Sequence, residues 1–188
     1  TEGQIVMLAV NTLGVLYILE NGDSIQTIDD LAGKTLYATG QGSTPEYMLN
    51  YLLAQYGLAD QVNIAYKSEH SELATLMVTG DATLGMLPEP MVTNVTMKNA
   101  DVRVALDLTE AWSAAAGDDK SELVMGVMIA RTDFVEQNAK ALNDFLTEYK
   151  ASTEYVNANV QEAAALIEEY EILPSAAVAE KAIPNCNI

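Results

Sequence analysis

The stretch Tyr37-Ala-Thr-Gly-Gln-Gly-Ser-Thr-Pro-Glu-Tyr-Met-Leu-Asn-Tyr-Leu-Leu53 joins a β-type run to a helix through a loop holding two glycines and two hydroxyls. Met48, Leu49, Leu52, Leu53 and Tyr56 recur at helical spacing and stop at Gly57, so the segment after the loop buries one stripe. Ser43 or Thr44 suits the N-cap, and Pro45 the first helical position. Such a junction leaves backbone N–H donors and the positive end of a helix facing the loop, at a strand's carboxyl end. Open α/β sheets bind ligands there. The spacing alone leaves two uses open: holding a small anionic or strongly polar ligand, or simple capping of the helix.

Outward from this junction the pattern repeats. Short β-type runs at 34–38, 62–66, 83–87, 102–106 and 123–130 alternate with helical stretches, as βαβ units require. The fold class read from this rhythm is α/β, a mostly parallel sheet with flanking helices. Upstream, 4–10 and 15–19 read as strands, Glu20-Asn-Gly-Asp-Ser24 as a turn, and Thr27-Ile-Asp-Asp30 as a short capped helix. After Arg131 the rhythm becomes helix upon helix. Thr132 is placed to cap a long segment with Leu142, Phe145, Leu146, Tyr149 and Val156 on one stripe, Asn159 to cap a second helix, and Pro174 to open a third. Met125 and Met128 flank Gly126 in an apolar run that reads as buried on both faces. Three regions follow: 1–32, 33–120 as an α/β lobe, and 121–188 as a return strand with an all-helical tail.

Charge narrows the partners. With 27 acidic against 9 basic residues the chain carries a formal −18, and its Lys and Arg are scattered. Nucleic acid needs a basic stripe to displace counterions, so that class is excluded, and binding to an anionic membrane surface is disfavoured. No apolar run reaches the roughly 18 residues of a membrane span. The start at Thr1-Glu2-Gly3 and the finish at Ile183-Pro-Asn-Cys-Asn-Ile188 read as boundaries within something longer.

The remaining motifs speak for binding over chemistry. Gly33-Lys34-Thr35 imitates the end of a phosphate-binding loop, but Ile28 stands where that motif needs Gly, and the Lys begins a strand. Gly40-Gln-Gly42 lacks the third glycine of a dinucleotide fingerprint, since Pro45 occupies its place. In Leu87-Pro-Glu-Pro90 the prolines hold Glu89 rigidly, either to accept from a ligand amine or amide or to favour the first turn of the next helix. His70 reads as a solvated surface residue, Trp112 as core and Cys186 as an inert thiol. No catalytic residue, metal site or cofactor is expected.

Several segments together resemble a known family. Ile28-Asp-Asp-Leu-Ala-Gly-Lys-Thr-Leu36, Gly40-Gln-Gly-Ser-Thr-Pro45, Leu76-Met-Val-Thr-Gly-Asp81 and Met86-Leu-Pro-Glu-Pro90 are similar, in order and composition, to segments of ABC-importer solute-binding proteins. The type is that for nitrate, sulfonate, taurine and thiamine precursors, with the type II periplasmic-binding-protein fold. The resemblance implies two lobes that close over a solute, with 33–120 as the second lobe and the tail helices packing on a first lobe. It implies ligand contacts at Asn11, Thr12, Gln41, Gly42, Ser43, Thr44 and Glu89, no cofactor, ABC permease subunits as partners, and a place outside the cytoplasm, in the periplasm or lipid-anchored at the outer face of the membrane. This stretch of chain is further expected to self-associate through its C-terminal helices. Two alternatives on the same fold are the effector-binding domain of a bacterial transcription regulator and an enzyme of thiamine-precursor synthesis.

Overall fold

A computed structural model describes residues 3–117 and 122–188. The chain divides into two compact units, Gly14–Leu123 on the one hand and Thr1–Leu13 with Val124–Ile188 on the other. The boundary read at 120/121 lies outside the described residues.

After an opening strand, β1 (Ile5–Thr12), the unit Gly14–Leu123 runs β2 (Leu16–Asn21), a 3₁₀ turn (Ile28–Leu31), β3 (Thr35–Ala38), α1 (Thr44–Gln55), β4 (Asn63–Tyr66) and α2 (His70–Thr79). It continues through β5 (Leu84–Pro88), α3 (Met91–Lys98), β6 (Val102–Asp107) and α4 (Leu108–Ala116). The sheet order is β4-β3-β5-β2-β6. β3 pairs in parallel with β4 and with β5, whereas β2 lies antiparallel between β5 and β6. All strands but β2 therefore point one way, and the mostly parallel sheet is present with one reversed member. The run 15–19, read from sequence with the remnant 1–32, supplies this interior strand between β5 and β6: Leu16, Ile18 and Leu19 are almost completely buried.

The helices follow from handedness. Right-handed crossovers from β3 to β4, and from β4 back across β3 to β5, place α1 and α2 on opposite faces of the sheet. On one face Leu73, Ala74 and Met77 of α2 join Val92 and Val95 of α3 against Leu19, Leu87 and Val102. Met48, Leu49, Leu52 and Leu53 of α1 are buried at the spacing read from sequence, and α1 also meets α4, where Tyr51 and Trp112 lie ring to ring at 4.8 Å. Trp112 is thus half-buried against another aromatic ring.

The other unit pairs β1 antiparallel with β7 (Gly126–Arg131), with register shifts between Met7 and Ala9 and between Val10 and Thr12. Helices α5 (Thr132–Gln137), α6 (Ala139–Ala158), α7 (Val160–Glu169) and α8 (Ala176–Ala182) follow. Three sequence readings are corrected here. The 123–130 run is not buried on both faces: its strand starts at Gly126, and Val127 and Ile129 are 44% and 56% exposed. Thr132 does not cap a single long helix. It lies inside α5 and its hydroxyl donates to the Gly3 carbonyl (2.6 Å), while Asn138 interrupts the segment. Pro174 precedes the third helix, whose cap is Ser175, its hydroxyl oxygen accepting from the Val178 amide. A small core of Ala163, Ala164, Ala179 and Ile183 joins α7 to α8.

Candidate functional site

Because β2 is the reversed member, the carboxyl ends of β3, β4, β5 and β6 share one edge with the start of β2. The chain is stitched along this edge. The Lys67 amide donates to Ala38 O (2.8 Å) and the Glu89 amide to Val15 O (3.0 Å). Buried Thr39 and exposed His70 share a hydrogen bond of 2.7 Å between Oγ1 and Nδ1, tying the end of β3 to the start of α2. His70 is on the surface, as read from sequence, but it also pairs with a residue 31 positions away, which no local pattern reports.

The loop after β3 has the strand–loop–helix form read from sequence. Gly40 takes φ 78°, and a Cβ there would lie 2.8 Å from Pro45 Cγ, so backbone conformation and space both demand glycine. Gln41, Gly42, Ser43 and Thr44 are all exposed. Ser43 occupies the N-cap position, Thr44 starts the helix and Pro45 is its second residue. The donors are arranged differently from the expectation of a free amide cluster. The Ser43 hydroxyl donates to Gly40 O (2.7 Å), and the Gly42 amide donates to Glu46 Oε2 (2.6 Å), so a carboxylate of the helix itself sits at its positive end.

Glu89 follows directly on β5, the neighbour of β3 in the sheet, in a turn whose Glu89–Pro90 bond is cis. Its carboxylate is half-buried and accepts from the Thr93 amide (3.1 Å) and hydroxyl (2.9 Å), serving the first turn of α3. Burial raises its pKa above the ordinary glutamate value, against the pull of the two Thr93 bonds. On the far side of β3, at the end of β4, the Tyr66 hydroxyl is shielded from water and directed at the Glu46 carboxylate. Burial and the adjacent Glu46 carboxylate raise its pKa. The Thr109 hydroxyl, in the first turn of α4 just after β6, is buried and without a hydrogen-bond partner. Both groups belong to this edge, and neither stood out in the sequence.

Asn11 and Thr12 lie in the other unit, at the end of β1, both half-buried, with Asn11 inside the second register shift. Bulges re-aim side chains. Gly126 makes room for this one: a Cβ there would sit 2.5 Å from Asn11 Oδ1.

A cleft of about 530 Å³ opens at the opposite, amino-terminal edge of the sheet, by Lys34, Thr35, Asp81 and Thr83. Two of its carboxylates are already engaged, Glu20 by Arg103 and Asp81 by the Thr79 hydroxyl. Among the described residues no group of three or more His, Cys, Asp or Glu side chains could hold a metal ion, and no helix is long and apolar enough to cross a membrane.

A family model described as NMT1/THI5 like matches residues 5–163. No curated protein sequence matches the chain. Among solved structures, an ABC transporter from Parabacteroides distasonis superposes with a TM-score of 0.78 at 22% identity, over 98% of this chain and 60% of that one. The periplasmic aliphatic sulphonate binding protein SsuA of Escherichia coli gives 0.76 at 18% identity, over 98% and 60%. The alkanesulfonate-binding protein SsuA of Xanthomonas axonopodis pv. citri, bound to MOPS, gives 0.70 at 16%, over 97% and 60%. The chain thus spans about 60% of the length of these structures and shares their fold.

Proposed function

Because the chain belongs to the NMT1/THI5-like family, we propose that it is part of the solute-capturing component of an ABC importer, acting outside the cytoplasm, in the periplasm or lipid-anchored, and delivering a small polar or anionic solute to permease subunits. The observation that carries this reading is the exposed loop Gln41–Thr44 at the carboxyl edge of the sheet, with Glu89 at the next strand end. The unit Gly14–Leu123, which joins β2 to the 33–120 stretch, acts as one lobe of a two-lobed clamp, and Asn11 and Thr12 remain candidate contacts. The reading is supported by the shared fold with sulfonate-binding proteins and by the buried Thr109 hydroxyl left without a hydrogen-bond partner at that edge.

Capture works by differential affinity. A solute that touches both lobes stabilises the closed state by the contacts it gains on closure, and a permease can read that state. The role is binding without chemistry, so the solute is released unchanged. The experiment is a thermal-shift panel of sulfonates, nitrate, carboxylates and polar pyrimidines on the full-length protein, repeated with Ser43→Ala and Thr44→Ala together. The transported solute raises the melting midpoint, and the double substitution removes most of that rise. An unchanged rise in the double variant takes the loop out of the site.

A further inference from the structure

We propose that the cleft at the amino-terminal edge of the sheet is a second small-molecule site, for a zwitterion that carries an ammonium and a carboxylate a few atoms apart. It lies at the end of the sheet away from the loop after β3, and it does not depend on that loop's role. Its lining runs from Glu20 to Leu84, wholly inside the unit Gly14–Leu123, so the site is complete without a second lobe.

The cleft exists because two neighbouring strands part. β3 pairs with β4 along Thr35–Ala38, but with β5 only where Tyr37 meets Gly85. Toward their amino ends β3 and β5 leave a space of about 530 Å³, large enough to enclose a small molecule. The loop after β2 closes one side and is held from beneath. Arg103 Nε donates to Gly22 O (3.0 Å) and its Nη2 to Ile25 O (2.5 Å), while Glu20 accepts from the Ser24 and Ile25 amides. A buried ion pair adds little net stability over well-packed apolar side chains. Here the Glu20–Arg103 pair instead fixes the shape of an exposed loop, as a preformed site requires.

The free chemistry of the cleft has both signs. At the β3 wall stands Lys34, whose ammonium enters no ion pair among the described residues. Beside it the Thr35 hydroxyl accepts from Asn63 Nδ2 (3.1 Å) and keeps its own proton to donate. Asp23, in the loop, likewise enters no ion pair among the described residues. Asp81, just before β5, accepts the Thr79 hydroxyl on Oδ2 (2.7 Å), which leaves Oδ1 for a ligand. Thr79 is also the last residue of α2, so the negative end of that helix adds to the Asp81 charge. A ligand carboxylate suits Lys34 and Thr35, and a ligand ammonium suits Asp23 and Asp81. A simple anion meets two carboxylates it cannot satisfy, and a simple cation meets Lys34.

The test is titration calorimetry of the full-length protein with glycine, 4-aminobutyrate and 6-aminohexanoate, a series of growing charge separation, and with butylamine and butyrate as single-charge controls. One zwitterion should bind at least about tenfold tighter than either control, because it alone satisfies both signs. Lys34→Gln and Asp81→Asn should each weaken it about fivefold, the upper worth of an exposed ion pair. Both side chains are exposed, and the unliganded melting midpoint of each variant checks its fold. Ser43→Ala with Thr44→Ala should leave this binding unchanged. Zwitterion binding that is lost with that pair but indifferent to Lys34→Gln and Asp81→Asn overturns the second site and leaves the importer reading intact. A control that binds as tightly as the best zwitterion overturns the ligand class, and binding of no probe overturns the proposal as a whole.

Discussion

Glu20 holds the amino-terminal edge of the sheet together. Only 5% exposed, it accepts from the Ser24 amide (2.9 Å) and hydroxyl (2.6 Å), from the Ile25 amide (3.1 Å), and from Arg103 Nη2 (2.7 Å). Burial pushes its pKa up, but the bonds from Ser24 and Ile25 and the charge of Arg103 outweigh burial and leave it below the ordinary glutamate value. Its stabilising contribution is therefore complete above the unfolded glutamate pKa and is lost as pH falls through the depressed folded value. Glu20→Ala should lower unfolding free energy by about 2 kcal/mol at neutral pH, since Arg103 loses its carboxylate and two amides lose an acceptor. Urea denaturation across a pH series checks both statements: the gap between unmodified protein and Glu20→Gln should start to narrow near the unfolded glutamate pKa of about 4.3 and close only as pH falls through the lower folded value. In the sequence Glu20 looks like the first residue of a turn, because nothing local marks a partner 83 positions away.

At the scale of elements, α1 and the α7–α8 pair show what periodicity can carry. The stripe Met48, Leu49, Leu52, Leu53 was legible because helical spacing, a proline near the start and Gly57 after the end are all local signals. The break at Asn138 was not, since no Pro or Gly marks it. The α7–α8 contact was also hidden. It is built on Ala163, Ala164 and Ala179, small side chains that carry little hydrophobic signal yet let two helices approach closely. Ala164, 1% exposed, has no room for more atoms. Ala164→Leu should destabilise the unit holding it by about 1–3 kcal/mol through overpacking. Hydrogen exchange should place the loss of protection in α7 and α8, and unchanged protection there would contradict the packing argument.

For the molecule as a whole, helices α5 and α6 of the tail carry large apolar groups on the outside. Phe134 and Phe145 are 46% and 50% exposed, and no side chain of α6 is buried. We expect the 188-residue chain to self-associate through these helices, opposed by a net charge of −18. Sedimentation equilibrium should therefore find association that strengthens with ionic strength as charge is screened, and that Phe134→Ser with Phe145→Ser weakens about tenfold. A monomer at every concentration and salt would end that expectation. The sequence by itself determined the alternation of strands and helices, the loop at Gly40–Thr44, the rigid turn at Glu89 and the change of rhythm after Arg131, because each is written in neighbours a few positions apart. Tertiary structure alone decided that β2 reverses between β5 and β6, that His70 meets Thr39, that Tyr66 meets Glu46 and that the Thr109 hydroxyl is left unpartnered along one edge. These depend on strand order and chain crossover. Distance in space there bears no relation to distance along the chain, and pairing is set by which surfaces can be buried together.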